Sequence, residues 1–258
     1  MINKKTFYQS YGKVFGKFKQ SAVDCLDAIL DEFDSHADHE RDVEKKAYML
    51  ATVRHEVGAD MLPIVENMNY SAKRITEVWP SRFKSIEAAK MFAHNPALLG
   101  NSVYGNRLGN GPPSSGDGYK YRGRGIGAQF TGKVNYEKFG KLFKVDLVGN
   151  PELATDLKLG AKILYMGSMQ GLFTGVGLDK YINDRRVDYV DARRVINADV
   201  ARNGSKIARD AELFERILRA SYTDDVQETA SIVIDNKKSS LLGAVKTVLN
   251  LFKGKSAS

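Results

Sequence analysis

Apolar residues return every three or four positions through most of this chain, and that period confines it to a largely helical architecture. In residues 6–33 the series runs Phe7, Tyr11, Val14, Phe15, Phe18, Val23, Leu26, Ile29, Leu30 and Phe33. Residues 44–57 read as a buried helix, with Ala47, Met49, Leu50, Ala51 and Val53 apolar and Glu56 delivered at its end. Ser71 is placed to cap a helix through Val78, and residues 85–94 read as a short helix. Further helices are predicted over 135–143, 157–170, 187–195 and 205–221. Residues 95–120 read as a polar loop region centred on Gly109-Asn110-Gly111-Pro112-Pro113-Ser114-Ser115-Gly116. A hairpin near 119–130 is the one strand signal, so the expected fold class is mainly α.

At 258 residues, 43% of them apolar, the chain is long enough for one substantial core. No apolar run approaches the length that crosses a bilayer. Met1-Ile2-Asn3-Lys4-Lys5-Thr6-Phe7 carries two lysines without a following apolar stretch, so it reads as no signal peptide and predicts synthesis in a cytoplasm. Cys25 is the single cysteine and reads as a packed, inert thiol on a helix. A net charge of +8 favours polyanionic partners: nucleic acid, anionic lipid or bacterial cell wall. No zinc-finger spacing or RNP signature accompanies it, so no nucleic acid is expected. His36 and His39 have the spacing of two ligands on one helix face, yet no distant ligand cluster matches them; they read as a solvated loop without a metal.

After Tyr222 the texture changes. Residues 223–235 mix acids with other polar residues, and residues 236–258 hold five lysines and no acid. There Leu241, Leu242, Ala244, Val245, Val248, Leu249 and Phe252 fall on one helical face. The expected organisation is a domain over 1–222 and a basic amphipathic C-terminal extension over 223–258. Three readings of 236–258 stand: a helix lying on an anionic membrane surface, a helix docked on its own domain or on a virion partner, and a loose tail.

The chemistry concentrates in two places. Residues 119–136 gather Arg122, Arg124, Gln129, Thr131 and Asn135 around Gly123, Gly125, Gly127 and Gly132. Glycine lets a backbone approach a ligand, and such polar side chains furnish the donors and acceptors a sugar groove needs. Glu56 and, ten residues later, Glu66 supply two carboxylates. A glycosidic bond is cut by an acid that protonates the leaving oxygen and a second group that activates water or stabilises charge. Each residue also has a structural reading. Glu56 suits a helix-end ion pair with Arg54, His55 or another base, and Glu66 a surface acid. Gln129, Thr131 and Asn135 suit turn and cap hydrogen bonds.

Ordered blocks run through residues 5–221: Ala47-Tyr48-Met49-Leu50-Ala51-Thr52 leading into His55-Glu56, then Glu66-Asn67-Met68-Asn69-Tyr70-Ser71-Ala72 and Trp79-Pro80-Ser81-Arg82-Phe83. Tyr104-Gly105-Asn106-Arg107-Leu108-Gly109-Asn110-Gly111, Ser115-Gly116-Asp117-Gly118-Tyr119 and the glycine-rich block follow. Asn150-Pro151-Glu152-Leu153-Ala154, Phe173-Thr174-Gly175 and Arg194-Val195-Ile196-Asn197 complete the series. In this order they resemble the family 19 glycoside hydrolases of the phage endolysin kind, a lysozyme-like branch related to plant chitinases. The departures are Val57 in place of Thr or Ser after the acid, aromatic residues thinned to Tyr165 with Met166 beside it, and Ala198-Asp199 where the late motif continues into Gly.

The resemblance implies a lysozyme-like catalytic domain that hydrolyses β-1,4 bonds of bacterial peptidoglycan by an inverting mechanism without a cofactor. It assigns Glu56 as general acid, Glu66 as base or charge stabiliser and Thr131 as the holder of the water. Gln129, Asn135 and Asn197 become sugar-binding residues. Arg124 either ties the carboxylates together or buttresses the core. Tyr121 and Tyr104 either stack on sugar or pack. A protein of this kind is made in the host cytoplasm and acts on the periplasmic wall after holin-dependent release, or rides in the virion. Two alternatives remain: a chitinase with the same chemistry, and a virion-associated wall-penetrating or glycan-binding component.

Overall fold

The computed structural model describes residues 1–36 and 42–222 and is mainly helical, as the apolar period predicts. His39 and the extension 223–258, with its amphipathic segment, lie outside the described residues. The chain divides into two compact units: residues 1–16 with 216–222, and residues 17–215. The first holds α1, Lys4–Phe15, whose N-terminus is capped by Asn3; its side-chain oxygen accepts from the Thr6 amide at 3.1 Å. Phe7, Tyr11 and Phe15 follow ring upon ring along this helix. The Asn3 amide donates to the Ser221 carbonyl at 3.2 Å.

The periodic stretch 6–33 is two helices rather than one. Gly16, at φ +80°, closes α1, and α2 begins anew at Gln20–Asp34. Cys25 lies buried on α2, and burial pushes its thiol up to about 12, as befits a packed cysteine. Next comes α3, Val43–Val57, in which every residue from Lys46 to Val53 is buried. A helix without a polar face belongs at the centre of a unit. Glu56 stands where α3 emerges.

Beyond it run β1, Ile64–Val65, and three helices: α4, Ala72–Val78, α5, Ile86–Ala89, and α6, Pro96–Tyr104. Ser71 caps α4 as expected, accepting from the Arg74 amide at 3.3 Å. The helix α6 corrects the polar-loop expectation for 95–120. Its start carries an ordinary signal, with Pro96 in the first turn and the Asn95 side chain accepting from Leu98 N at 3.1 Å. Leu99 and Val103 of α6 pack with Met68, Ile75, Phe83 and Ala89 in a separate small core.

The remaining elements are α7, Asp117–Lys120, β2, Arg124–Gly125, α8, Lys133–Phe143, α9, Leu157–Gln170, the strands β3, Ile182–Asn183, and β4, Arg186–Val187, and α10 over residues 205–222. The pair β3–β4 and a 3₁₀ turn, Asp191–Val195, replace the helix expected over 187–195. Asp156 caps α9 and Gly171 ends it in the left-handed conformation, and α2 packs along it. Tyr121, Phe130, Tyr136, Phe139, Leu147, Ala154 and Ile163 form the core around α8 and α9. Among the described residues no helix is long and apolar enough to cross a membrane.

The expected hairpin over 119–130 shrinks to one bridge, Arg124 with Phe130. The main partner of β2 is β1, paired antiparallel with Ile64 opposite Gly125 and Val65 opposite Arg124. The loop that follows β2 is wedged against α3, because a β-carbon on Gly127 would lie 2.6 Å from Val53 Cγ2. Only glycine admits that approach. Gly127→Ala is therefore expected to destabilise the protein by about 1–3 kcal/mol through overpacking. Urea denaturation measures it, and an unchanged midpoint contradicts the wedge.

Candidate functional site

The two candidate carboxylates come from different elements, and each has its own set of donors. Glu56 arrives on α3 with its side chain 22% exposed. Its Oε1 accepts from Arg193 Nη1 at 2.6 Å. Arg193 sits in the 3₁₀ turn and is itself 2% exposed, so its charge is taken out of water. Asp199 takes most of that charge, accepting from Nε at 2.6 Å and from Nη2 at 3.3 Å. Asn203 donates to Asp199 in turn at 2.5 Å, from within a π-helical turn, Val200–Gly204. Such turns recur at functional sites because they re-aim side chains.

The charge count in this cluster matters for chemistry. Arg193 and Asp199 neutralise one another, and Glu56 hydrogen-bonds the same buried guanidinium. His55, the neighbour of Glu56, is held below its ordinary pKa chiefly by burial, and stays neutral near pH 7.

Glu66 follows β1 directly and has no ion pair to a base among the described residues. Its Oε1 accepts from the Tyr104 hydroxyl at 2.7 Å and its Oε2 from the Gly123 amide at 3.1 Å. The Glu66 amide in turn donates to the Gly123 carbonyl at 2.7 Å, extending the β1–β2 ladder by one residue. Burial and the Glu66 charge together raise the phenol of Tyr104, which therefore remains a donor. Tyr70 is raised by the same two causes, which places it beside Glu66, and its ring meets Trp79 edge-on at 5.5 Å.

Gly123 is the meeting point of this second cluster. A β-carbon there would lie 3.1 Å from Gln129 Oε1, 3.3 Å from Thr131 Oγ1 and 3.4 Å from Glu66 Cβ. Three residues singled out from sequence thus converge on one glycine. Gln129 is exposed and Thr131 partly so. Asn135, in the first turn of α8, donates from its amide to the Thr131 carbonyl at 2.7 Å and fixes that turn. Asn197 is exposed and lies beside the other cluster, its amide donating to the Arg193 carbonyl at 2.8 Å.

Arg124 and Tyr121 are corrected. Arg124 is 1% exposed and turns away from both catalytic candidates. Its Nη2 donates to Glu152 Oε1 at 2.5 Å, its Nε to Glu152 Oε2 at 3.3 Å, and its Nη1 to the Lys120 carbonyl and the Tyr136 hydroxyl. Of the two readings left open, these bonds make it a buttress and not a tie between Glu56 and Glu66. Tyr121 is buried in the core with Tyr136, and its hydroxyl donates to the Val148 carbonyl, so no ring face is left for a sugar.

The residues that sequence reasoning missed are Arg193 and Asp199. The late motif pointed to Arg194, which is half-exposed and paired with Asp191. Two adjacent arginines carry no sign of which faces inward; the 3₁₀ turn decides it. His36, set aside as a solvated residue, contacts Glu32 at 2.9 Å and stacks on Tyr165. Among the described residues no group of three or more potential ligands could hold a metal.

No family model matches the chain. Over 119 residues it is 41% identical to a glycosyl hydrolase family 19 domain-containing protein of Haemophilus influenzae. The match takes in 46% of this chain and 58% of that protein, so the chain spans under two thirds of the curated relative's length. That relative carries the family name to which the sequence blocks pointed.

The Arg193–Asp199 pair makes a prediction of pH dependence. The hydrogen bond from Arg193 is the first cause that lowers Asp199 below its ordinary value. A carboxylate depressed in the folded state contributes stability above its unfolded pKa, about 4, and loses that contribution as pH falls through the folded value. Asp199→Asn should therefore cost roughly 1–2 kcal/mol at neutral pH, the lower part of the range for charged hydrogen bonds because Asp199 is partly solvated. Thermal unfolding of both proteins from pH 7 to pH 2 should show the gap closing below about pH 4. A gap that widens on acidification contradicts the assignment.

Proposed function

We propose that this chain is a glycoside hydrolase that cuts β-1,4 bonds in the peptidoglycan glycan strand. The observation that carries the reading is the contrast between the two carboxylates. Glu56 is partly buried and shares Arg193 with Asp199, which takes two of that arginine's hydrogen bonds. Glu66 has both oxygens accepting from neutral donors, the environment of an ionised acceptor. One carboxylate able to donate and one able to accept are the two parts that hydrolysis of a glycosidic bond requires. The 41% identity to the Haemophilus family 19 protein supports the same chemistry.

In this mechanism Glu56 gives its proton to the glycosidic oxygen as the bond from that oxygen to the anomeric carbon breaks. A water held by Thr131 Oγ1 and Gln129 Oε1 attacks the anomeric carbon from the opposite face. Glu66 takes a proton from that water. The new hydroxyl has inverted configuration, and proton exchange with solvent restores both carboxyl groups. An inverting pair stands roughly 6.5–9.5 Å apart to admit the water. Tyr70 and Trp79, both partly exposed, offer apolar faces on the Glu66 side, and Asn197 a polar group on the Glu56 side.

The substrate follows from charge as well as from geometry. A chain with a net charge of +8 is drawn to an anionic wall polymer. We place its action on the periplasmic wall in phage-driven lysis of the host, in keeping with the endolysin resemblance of its sequence blocks.

The test is digestion of purified Gram-negative sacculi by wild type and Glu56→Gln, with released fragments and new reducing ends identified by mass spectrometry. Wild type should release fragments with new reducing ends, and Glu56→Gln should lose at least about 100-fold in rate, the scale of general acid catalysis. Full activity in Glu56→Gln would refute the assignment. Release from chitin oligomers but not from sacculi would move the substrate to chitin. Binding to sacculi without release by either protein would favour a glycan-binding role.

A further inference from the structure

Among the described residues the hydroxyl of Tyr104 is the one side-chain donor to Glu66, and it is built into a frame that also carries Thr131. Tyr104 ends α6, and its carbonyl accepts from Asn110 Nδ2 at 3.0 Å. Asn110 is buried, and its other side-chain atom, Oδ1, accepts from the Lys133 amide at 2.9 Å. Lys133 opens α8 two residues after Thr131. The Val134 amide adds a bond to the Leu108 carbonyl at 3.1 Å. One buried asparagine therefore ties the residue that holds Glu66 to the turn that presents Thr131.

The loop between these bonds is strained. Asn106 and Leu108 adopt positive φ, 57° and 53°, without being glycine. Such a conformation is uncommon for a residue with a β-carbon and persists only where surrounding contacts impose it. Here the imposing contacts are those of Asn110, the Leu108 carbonyl and the Asn106 amide, which donates to the Gly111 carbonyl at 2.8 Å. Strain held at this position sets the register between α6 and α8.

We propose that Tyr104 is a positioning residue for the reaction: its hydroxyl, registered through Asn110 to the Thr131 turn, holds Glu66 as the ionised acceptor of the water's proton. The proposal rests on the glycosidase reading of Glu66. It replaces the sugar-stacking and packing readings of Tyr104 with a polar one, and the two kinds of role separate in kinetics. Stacking belongs to the ring and acts in binding. Positioning belongs to the hydroxyl and acts on turnover.

Tyr104→Phe removes the hydroxyl alone. On sacculi or a soluble glycan fragment its kcat should fall about 10- to 100-fold, the scale of a hydrogen bond to a charged group, with KM within about twofold. Asn110→Ala should lower kcat in the same direction without touching Glu66 directly. A second arm needs no activity. In protein labelled with ζ-¹³C tyrosine and dissolved in equal H₂O and D₂O, the Tyr104 hydroxyl should exchange slowly enough to split its resonance, and Glu66→Ala should abolish the splitting. Unchanged kcat in Tyr104→Phe, a loss confined to KM, or hydroxyl exchange indifferent to Glu66 each overturns the proposal. Wild-type protein that releases no reducing ends overturns the glycosidase reading and the catalytic purpose given to this pair, while the exchange arm still decides whether Tyr104 holds Glu66.

Discussion

A guanidinium taken out of water must find partners for its donors, and Arg124 finds them all within the glycine-rich loop and its support. Glu152 takes two of its hydrogen bonds, and the Lys120 carbonyl, the Arg122 carbonyl and the Tyr136 hydroxyl take others. The Tyr136 hydroxyl passes the constraint on by donating to the Arg122 carbonyl at 2.7 Å. These bonds fix residues 120–124, and with them the amide of Gly123 that Glu66 accepts. A loop with so many glycines has much backbone entropy to lose on ordering. The buried arginine supplies the interactions that offset the loss, so Gln129 and Thr131 have a defined place from which to act.

The same device appears at the other carboxylate. Arg193 is as deeply buried as Arg124, and each is paired with a carboxylate that keeps contact with solvent, Asp199 and Glu152. Desolvation of such pairs is costly when both ions are sealed off. Leaving the carboxylate near water lowers that cost while the arginine retains its fixed geometry. At Glu152 the result is a brace. At Asp199 it is also a charge balance, because the arginine reaches one atom further, to Glu56. The chemical difference between the two sites is that third partner.

The sequence disclosed the helices wherever their apolar period ran long enough. The boundaries of α9 emerge from pattern alone, and those of α3 to within a residue, because their caps and faces are local properties. The pattern failed where short elements take their shape from distant partners. The helix α6 sits among the polar residues of 95–120, its cap and proline legible but its apolar face too short to be read. The strands β3 and β4 are two residues each and exist through pairing. At the candidate site, residue type and order single out Glu56, Glu66, Gln129 and Thr131, and the last three gather around Gly123. Arg124 and Tyr121 share that block, and only packing shows that they face inward. Arg193 could not be told from Arg194 without the turn that orients them.

These differences follow from where each carboxylate is mounted. Glu56 rides on the most buried helix of the unit, so its position is as rigid as the core. Glu66 stands on a two-stranded ladder whose second strand comes from the loop that also carries Gln129 and Thr131. Its position is therefore defined relative to the water-holding groups more directly than to Glu56. Small shifts of the loop would move Glu66, Gln129 and Thr131 together. Gly127 of that loop packs on Val53, one helical turn before Glu56, and so couples the loop to the helix that carries the other carboxylate. One carboxylate is thus fixed by the core, and the other by the loop it shares with Gln129 and Thr131.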